Sequence, residues 1–276
     1  QHIFTHPQTS TYNHVIVLND AEEAAYFYNS IESITGAMDL FYFPSSFKTS
    51  QNFNLLNPSH VMLRTEALTK LSMGGNKKIV VTYPEAFFEK VIMPKTLQEN
   101  IIQIKTNDTL GLNDLMERLV QYGFERTDFV YEPGQFALRG GIFDIYSFGN
   151  EKPYRVELFG EEVDSIRLFD PETQLSERKL LQVNIIPNVT TQFEDTIKIP
   201  FMEFVPEHTV VWLKDWTLIQ QRGNEQMEAL EAFLLHAPIL KITDDADTHK
   251  KNTDKDDFVA VEKVIEQVFN KPIIEW

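Results

Sequence analysis

The sequence predicts an α/β protein in which a discontinuous parallel-sheet domain is interrupted by a smaller α+β domain. Three observations lead there. Short β-branched runs alternate with helical patterns over the first hundred residues, the rhythm of a parallel sheet with crossover helices. From about residue 105 to 189 that rhythm gives way to strands and turns with one amphipathic helix. Beyond 190 the alternation resumes, so residues 1–104 and 190–276 are assigned to one domain and 105–189 to an insertion.

The elements follow in order. "HVIVLN" (His14–Asn19) is a buried-type strand, and Asp20 behind it is a helix N-cap. The helix "AEEAAYFYNSI" (Ala21–Ile31) carries acids in its first turn, where the helix dipole favours them. Phe41–Phe43 reads as a strand, Arg64–Leu71 as helix and Lys78–Val81 as strand. "TYPEAFFEKVI" (Thr82–Ile92) predicts a helix with Pro84 in its first turn. Asp114–Gly123 is an amphipathic helix ended by Gly123. "FALRGGIFDIYSFGNEKPYRVELFGEEVDSIRLFD" (Phe136–Asp170) then reads strand, turn, strand, turn, strand. Thr209–Leu213 is another buried-type strand, followed by a long helix over Asp215–His236. A polar loop (Asp244–Asp257), an amphipathic stretch (Phe258–Phe269) and a strand in "PIIEW" complete the chain.

Composition narrows the chemistry. Acidic residues outnumber basic ones by 41 to 25, a net charge of -16, which opposes the phosphate contacts that dominate nucleic-acid affinity. No cysteine is present, which removes disulfides, thiolate metal sites and cysteine nucleophiles. The beginning of the chain lacks a signal-peptide pattern and no apolar run approaches about 18 residues, so a soluble, cytoplasmic protein with no membrane partner is expected. Of the two glycine pairs, Gly74–Gly75 leads into a strand and predicts an ordinary turn rather than a phosphate loop. Gly140–Gly141 lies between strands, where a bulge or a close backbone approach is expected. Asp244, Asp245, Asp247 and His249 lack the glycine and terminal glutamate of a calcium loop and read as solvated. No catalytic constellation emerges: no enzyme, cofactor or metal is expected of this chain on its own.

The insertion concentrates arginines in an acidic chain. Arg139, Arg155 and Arg167 lie on consecutive strands. By alternation Arg155, Glu157 and Phe159 share one face, while Tyr154, Val156 and Leu158 share the other and fill the core. An aromatic beside guanidinium groups is the composition of protein–protein hot spots. Cross-strand ion pairs with Glu157, Glu161 or Asp164 are the competing explanation.

The stretch Tyr131–Ser176, with "GQFALRGGIFDI", "PYRVELF", "EEVDSIRLF" and "DPETQ", resembles the domain shared by bacterial transcription-repair coupling factors and the excision-repair helicase UvrB. The flanking "VIVLNDAEEAAYFYN" is similar to the N-terminal module of the coupling factors. The resemblance implies a UvrB-like fold whose discontinuous domain is a degenerate, helicase-like nucleotide fold. It also implies an inserted domain that recruits UvrA to stalled RNA polymerase in transcription-coupled nucleotide excision repair. Carried over residue by residue, the UvrA contacts are Arg139, Arg155 and Phe159, with Arg167 on the next strand included. The family's DNA translocase motor, which uses ATP and Mg, and its RNA-polymerase-binding domain have no motifs here, so a fragment of a longer parent is expected. The family's Gly-rich segment near the first strand and UvrB's apolar DNA-clamping hairpin also have no counterpart. Two alternatives remain at this point: an autoinhibitory module whose face packs against the C-terminal part of the parent, or a helicase half with residual nucleotide binding.

Overall fold

The computed structural model describes residues 11–35, 39–75, 77–190, 193, 196–236 and 251–276. The chain begins with β1 (Asn13–Val17), α1 (Ala21–Thr35), β2 (Leu40–Phe43), β3 (Phe47–Thr49), β4 (Asn52–Leu56), α2 (Pro58–Ser72), β5 (Ile79–Thr82), α3 (Pro84–Phe87), β6 (Val91–Ile92) and α4 (Pro94–Asn100). Its middle holds β7 (Ile102–Lys105), α5 (Leu112–Gln121), β8 (Glu125–Arg126), β9 (Gln135–Arg139), β10 (Ile142–Ile145), β11 (Tyr154–Phe159), β12 (Glu162–Phe169), β13 (Ser176–Leu180) and β14 (Gln182–Ile185). It ends with β15 (Lys198–Ile199), α6 (Phe201–Phe204), β16 (Thr209–Leu213), α7 (Trp216–His236), α8 (Val261–Phe269) and β17 (Ile273–Glu275). Two compact units result, one of residues 1–95 and 195–276 and one of residues 96–194.

The first unit is built on a five-stranded parallel sheet in the order β17-β16-β1-β5-β2. Its middle strand is buried along its whole length, as a parallel strand covered on both faces must be. Helix starts follow local chemistry. Asp20 Oδ1 accepts from the Glu23 amide at 2.8 Å, Asp215 Oδ1 from Leu218 at 2.9 Å, and Asn57 caps α2 ahead of Pro58.

The helix expected over Thr82–Ile92 is instead the single turn α3. Glu89 explains the break. Its buried carboxylate accepts from the amide and hydroxyl of Ser46 and the hydroxyl of Ser45, and pairs with buried Arg64 at 3.3 Å. The backbone there bridges to Phe258, and β6 continues into a pairing with β15. Tertiary bonds outweigh a local preference that spans only a few tenths of a kcal/mol, roughly, per residue.

The polar stretch expected at Asp244–Asp257 is described only from Lys251. Lys251 and Lys198 both reach Asp257 Oδ1, at 2.9 and 2.5 Å. Burial disfavours the Asp257 charge, yet the two ammonium groups hold its carboxyl below the usual range. Asp244, Asp245, Asp247 and His249 lie outside the described residues.

The second unit carries a six-stranded sheet in the order β13-β12-β11-β10-β9-β8, antiparallel except for the β8–β9 pair. Beside it β7 pairs antiparallel with β14, Ile102 facing Ile185 and Lys105 facing Gln182. That pairing places residues 102–105 in this unit, whose bounds of 96 and 194 lie somewhat outside the expected 105–189. One sheet face packs with α5 into a core that includes Leu119, Phe136, Phe143, Val156, Val163 and Ile166. Gly123, at φ 78°, follows the end of α5 as the left-handed residue expected there.

The Gly140–Gly141 pair forms the two-residue turn between β9 and β10, where Arg139 faces Ile142. Gly140 supplies a left-handed φ of 60°. At Gly141 the Leu158 amide donates to the glycine carbonyl at 2.7 Å. A Cβ on Gly141 would lie 2.8 Å from the Leu158 carbonyl oxygen.

Candidate docking face

The second face of this sheet carries the arginines, and the strand register orders them. Ala137, Asp144, Arg155, Arg167 and Lys179 stand directly opposite one another across β9 to β13. Directly opposite residues in antiparallel strands share a face, so these five form one row. Arg139, Ile142, Glu157 and Ser165 form the next.

Asp144 organises the row. Its side chain is fully buried, and its oxygens take Arg155 Nε at 2.8 Å, Arg155 Nη2 at 2.9 Å and Arg139 Nη2 at 2.6 Å. Arg155 Nη1 donates to the Gln174 carbonyl at 3.0 Å, and its guanidinium lies 4.4 Å over the buried Phe169 ring. The hydrogen bonds to Asp144 push the Arg155 guanidinium further up in pKa, against the cost of burial. The "DPETQ" segment is the buttress. Asp170 Oδ1 accepts from the Glu172 and Thr173 amides and the Thr173 hydroxyl, which hold its carboxyl below the usual range. The turn delivers Gln174 at φ 61°, and the Gln174 amide group donates to Val130 and Pro171 carbonyls.

The four residues singled out from the sequence therefore divide. Phe159 is 84% exposed, while Arg155 has a side chain only 12% exposed with its donors committed inside the unit. Arg155 shares the face of Phe159, as alternation predicts, but not its exposure: it clamps three strands around a buried carboxylate. Arg139 and Arg167 lie between, each 32% exposed in the side chain. Arg139 also donates to the Asp128 carbonyl and stacks 4.5 Å over Phe129. Arg167 Nη2 reaches Glu157 Oε2 at 3.2 Å, while its buried Nε finds no hydrogen-bond partner among the described residues.

The ion pairs that compete with docking thus exist: Arg167 pairs with Glu157, one of the expected acids, and Arg139 and Arg155 pair with another. Of Glu157, Glu161 and Asp164, only Glu157 pairs with one of the three arginines among the described residues. The carboxylate that takes Arg139 and Arg155 is Asp144, which sequence reasoning missed, as it did the Gln174 carbonyl that takes Arg155 Nη1. The available signal was an aspartate in the otherwise apolar "IFDI", where an unpaired charge cannot be kept.

In the first unit, the strand order reverses beside β1, the position where open α/β sheets bind ligands at the carboxyl ends of their strands. Carboxylates already serve that crevice. Glu23 accepts from the Asn19 amide at 3.2 Å and pairs with Lys214, while Asp20 and Asp215 cap the two helices. Among the described residues no cluster of His, Asp and Glu could hold a metal ion, and no helix is long and apolar enough to cross a membrane.

Residues 102–190 match the family model described as the UvrB interaction domain. Over 209 residues, 75% of this chain and 17% of the relative, the sequence is 30% identical to a transcription-repair-coupling factor of Bacillus subtilis. Over 172 residues, 62% of this chain and 14% of the relative, it is 30% identical to the protein of that name in Staphylococcus aureus strain Mu50. A Haemophilus influenzae transcription-repair-coupling factor is 26% identical over 136 residues, 49% of this chain and 12% of the relative. The chain thus spans under a fifth of the length of these curated relatives. Over most of its length the chain is similar to transcription-repair coupling factors, and residues 102–190 match the UvrB interaction domain.

Proposed function

We propose that this chain is a non-catalytic recruitment module whose arginine face docks UvrA. In this reading it brings UvrA to RNA polymerase stalled at damage, as part of a longer ATP-driven DNA translocase. The observation that carries the reading is Phe159, a large aromatic left 84% exposed on the face that bears Arg139, Arg155 and Arg167. Exposed aromatics flanked by guanidinium groups are the side chains on which interface affinity concentrates. Phe159 supplies the apolar anchor, Arg139 and Arg167 the accessible charge, and Arg155 holds the strands that present them.

The acidic balance of the chain, -16, disfavours DNA as the occupant of this face and leaves a protein partner. Calorimetric titration of UvrA into the 276-residue chain tests this. Saturable binding that weakens with added salt is expected, and absence of binding at micromolar concentrations sinks the proposal.

A further inference from the structure

The row Asp144, Arg155, Arg167, Lys179 sets three cations against one anion in direct cross-strand register. Like charges directly opposite one another destabilise a sheet unless something neutralises them. Asp144 neutralises Arg155 and is itself shared with Arg139. Arg167 has one ion pair, through Nη2 to Glu157 at 3.2 Å, and its Nε is shielded from solvent with no acceptor among the described residues. Lys179, on the edge strand β13, is exposed and has no ion pair among the described residues. Glu177, two residues before it, is taken by Lys152 at 2.5 Å.

From this uncompensated end of the row we infer that Arg167 and Lys179 together receive one carboxylate of the partner, an Asp or Glu side chain in an acidic segment of UvrA. The inference rests on UvrA docking at this face. The carboxylate would enter between the two side chains and give Arg167 a second acceptor. It would also relieve the repulsion across β12 and β13. Lys179 lies outside the four residues read from the sequence, so this makes it a further specificity-determining residue. It stands on the edge strand, where the partner meets it first, so its charge acts mainly on the association rate.

The test uses the whole 276-residue chain, with UvrA association followed by biolayer interferometry and melting followed by circular dichroism. Lys179→Glu is expected to weaken UvrA binding about tenfold or more, chiefly through a slower association, with melting unchanged or raised because the repulsion of Arg167 across β12 and β13 is removed. Lys179→Arg should retain binding. Arg167→Met keeps the stem, removes the charge and should weaken binding about tenfold. Glu157→Gln removes the internal competitor for Arg167 and should tighten binding severalfold, a gain that a merely structural role for Arg167 would not give. If wild-type chain binds UvrA and Phe159→Ala abolishes it, but Lys179→Glu and Arg167→Met bind within about twofold of wild type, the acidic-acceptor inference is wrong while the docking face stands. If the wild-type chain fails to bind UvrA, both fall together.

Discussion

Asp144 and Arg155 face each other across β10 and β11, joined by two hydrogen bonds of 2.8 and 2.9 Å around a carboxylate with no solvent exposure. Breaking a buried pair from one side leaves an uncompensated charge and costs about 3–5 kcal/mol. Arg155→Glu should therefore lower the melting temperature of the chain as well as remove UvrA binding. Arg155→Lys should recover only part of the stability, because an ammonium cannot reproduce the forked contact. Thermal melts of the three proteins decide it; an unchanged melting temperature for Arg155→Glu would show that the clamp contributes little.

Phe159 behaves differently. At 84% exposure its truncation uncovers almost nothing, so Phe159→Ala should melt with the wild type. In the bound state the same truncation should cost roughly 2 kcal/mol or more, the level of an interface hot spot. Affinity for UvrA measured beside melting separates this residue from Arg155 in one experiment.

The β9–β10 turn offers a purely steric test. Gly141→Ala places a Cβ 2.8 Å from the Leu158 carbonyl oxygen, a backbone atom that cannot move aside without disturbing β11. Overpacking of this kind costs about 1–3 kcal/mol. Urea unfolding should show that loss, with part of UvrA binding lost as well, since β11 carries both Arg155 and Phe159.

Nucleotide should not bind the first unit with useful affinity. The crevice beside β1 presents Asp20, Glu23 and Asp215, and Glu23 already takes the Asn19 amide and Lys214. A triphosphate would meet carboxylates where it needs donors. Addition of ATP and Mg is expected to leave the melting temperature unchanged and to yield no phosphate release, while sub-micromolar binding to duplex DNA at physiological salt would contradict the electrostatic argument. A clear thermal shift with ATP would restore the reading of a helicase half.

A pH dependence attaches to His60. Burial lowers its pKa, while the bond between Nδ1 and the Ser45 carbonyl at 2.8 Å and the nearby Glu89 work the other way and Arg64 adds to the lowering. The folded-state pKa lies below the unfolded value of 6.5, so the ring's contribution is fully present above that pH and is lost as pH falls through the folded-state pKa. Stability should therefore decline as pH drops below about 6.5, and His60→Gln should flatten that part of the curve. Urea midpoints from pH 7.5 to 5 are the measurement; parallel curves for both proteins would exclude His60 as the cause.

The parallel sheet was readable because β1, β5 and β16 are short β-branched runs whose burial depends on their own composition. The turn at Gly140–Gly141 was readable for a similar reason, since a glycine pair between strands answers a local backbone demand. What escaped was set at a distance. Nothing near Glu89 announces that Arg64, Ser45 and Ser46 will meet it and end the helix begun at Pro84. Alternation placed Arg155 and Phe159 on one face, but it cannot say which residue stands across the next strand. Asp144 opposite Arg155 is a fact of register, and it separates a buried clamp from an exposed anchor only two positions along in the alternation. The place of β7 in the inserted unit could not be read locally either, because it finds its partner β14 some eighty residues later in the chain.

That same pair of strands has a consequence for how such a protein can be built. Ile102 and Ile185 are neighbours, so the chain's two passages near the ends of the segment that matches the UvrB interaction domain run side by side, about 5 Å apart at the Cα atoms. A host protein therefore needs only a gap the width of one strand pair to accept the whole cassette, and its own folding need not be stretched or rewired around it. Residues 96–194 should then be portable: spliced into an exposed hairpin of an unrelated scaffold, they are expected to carry the proposed docking face with them, as a transferable handle rather than a property of the sheet that hosts it.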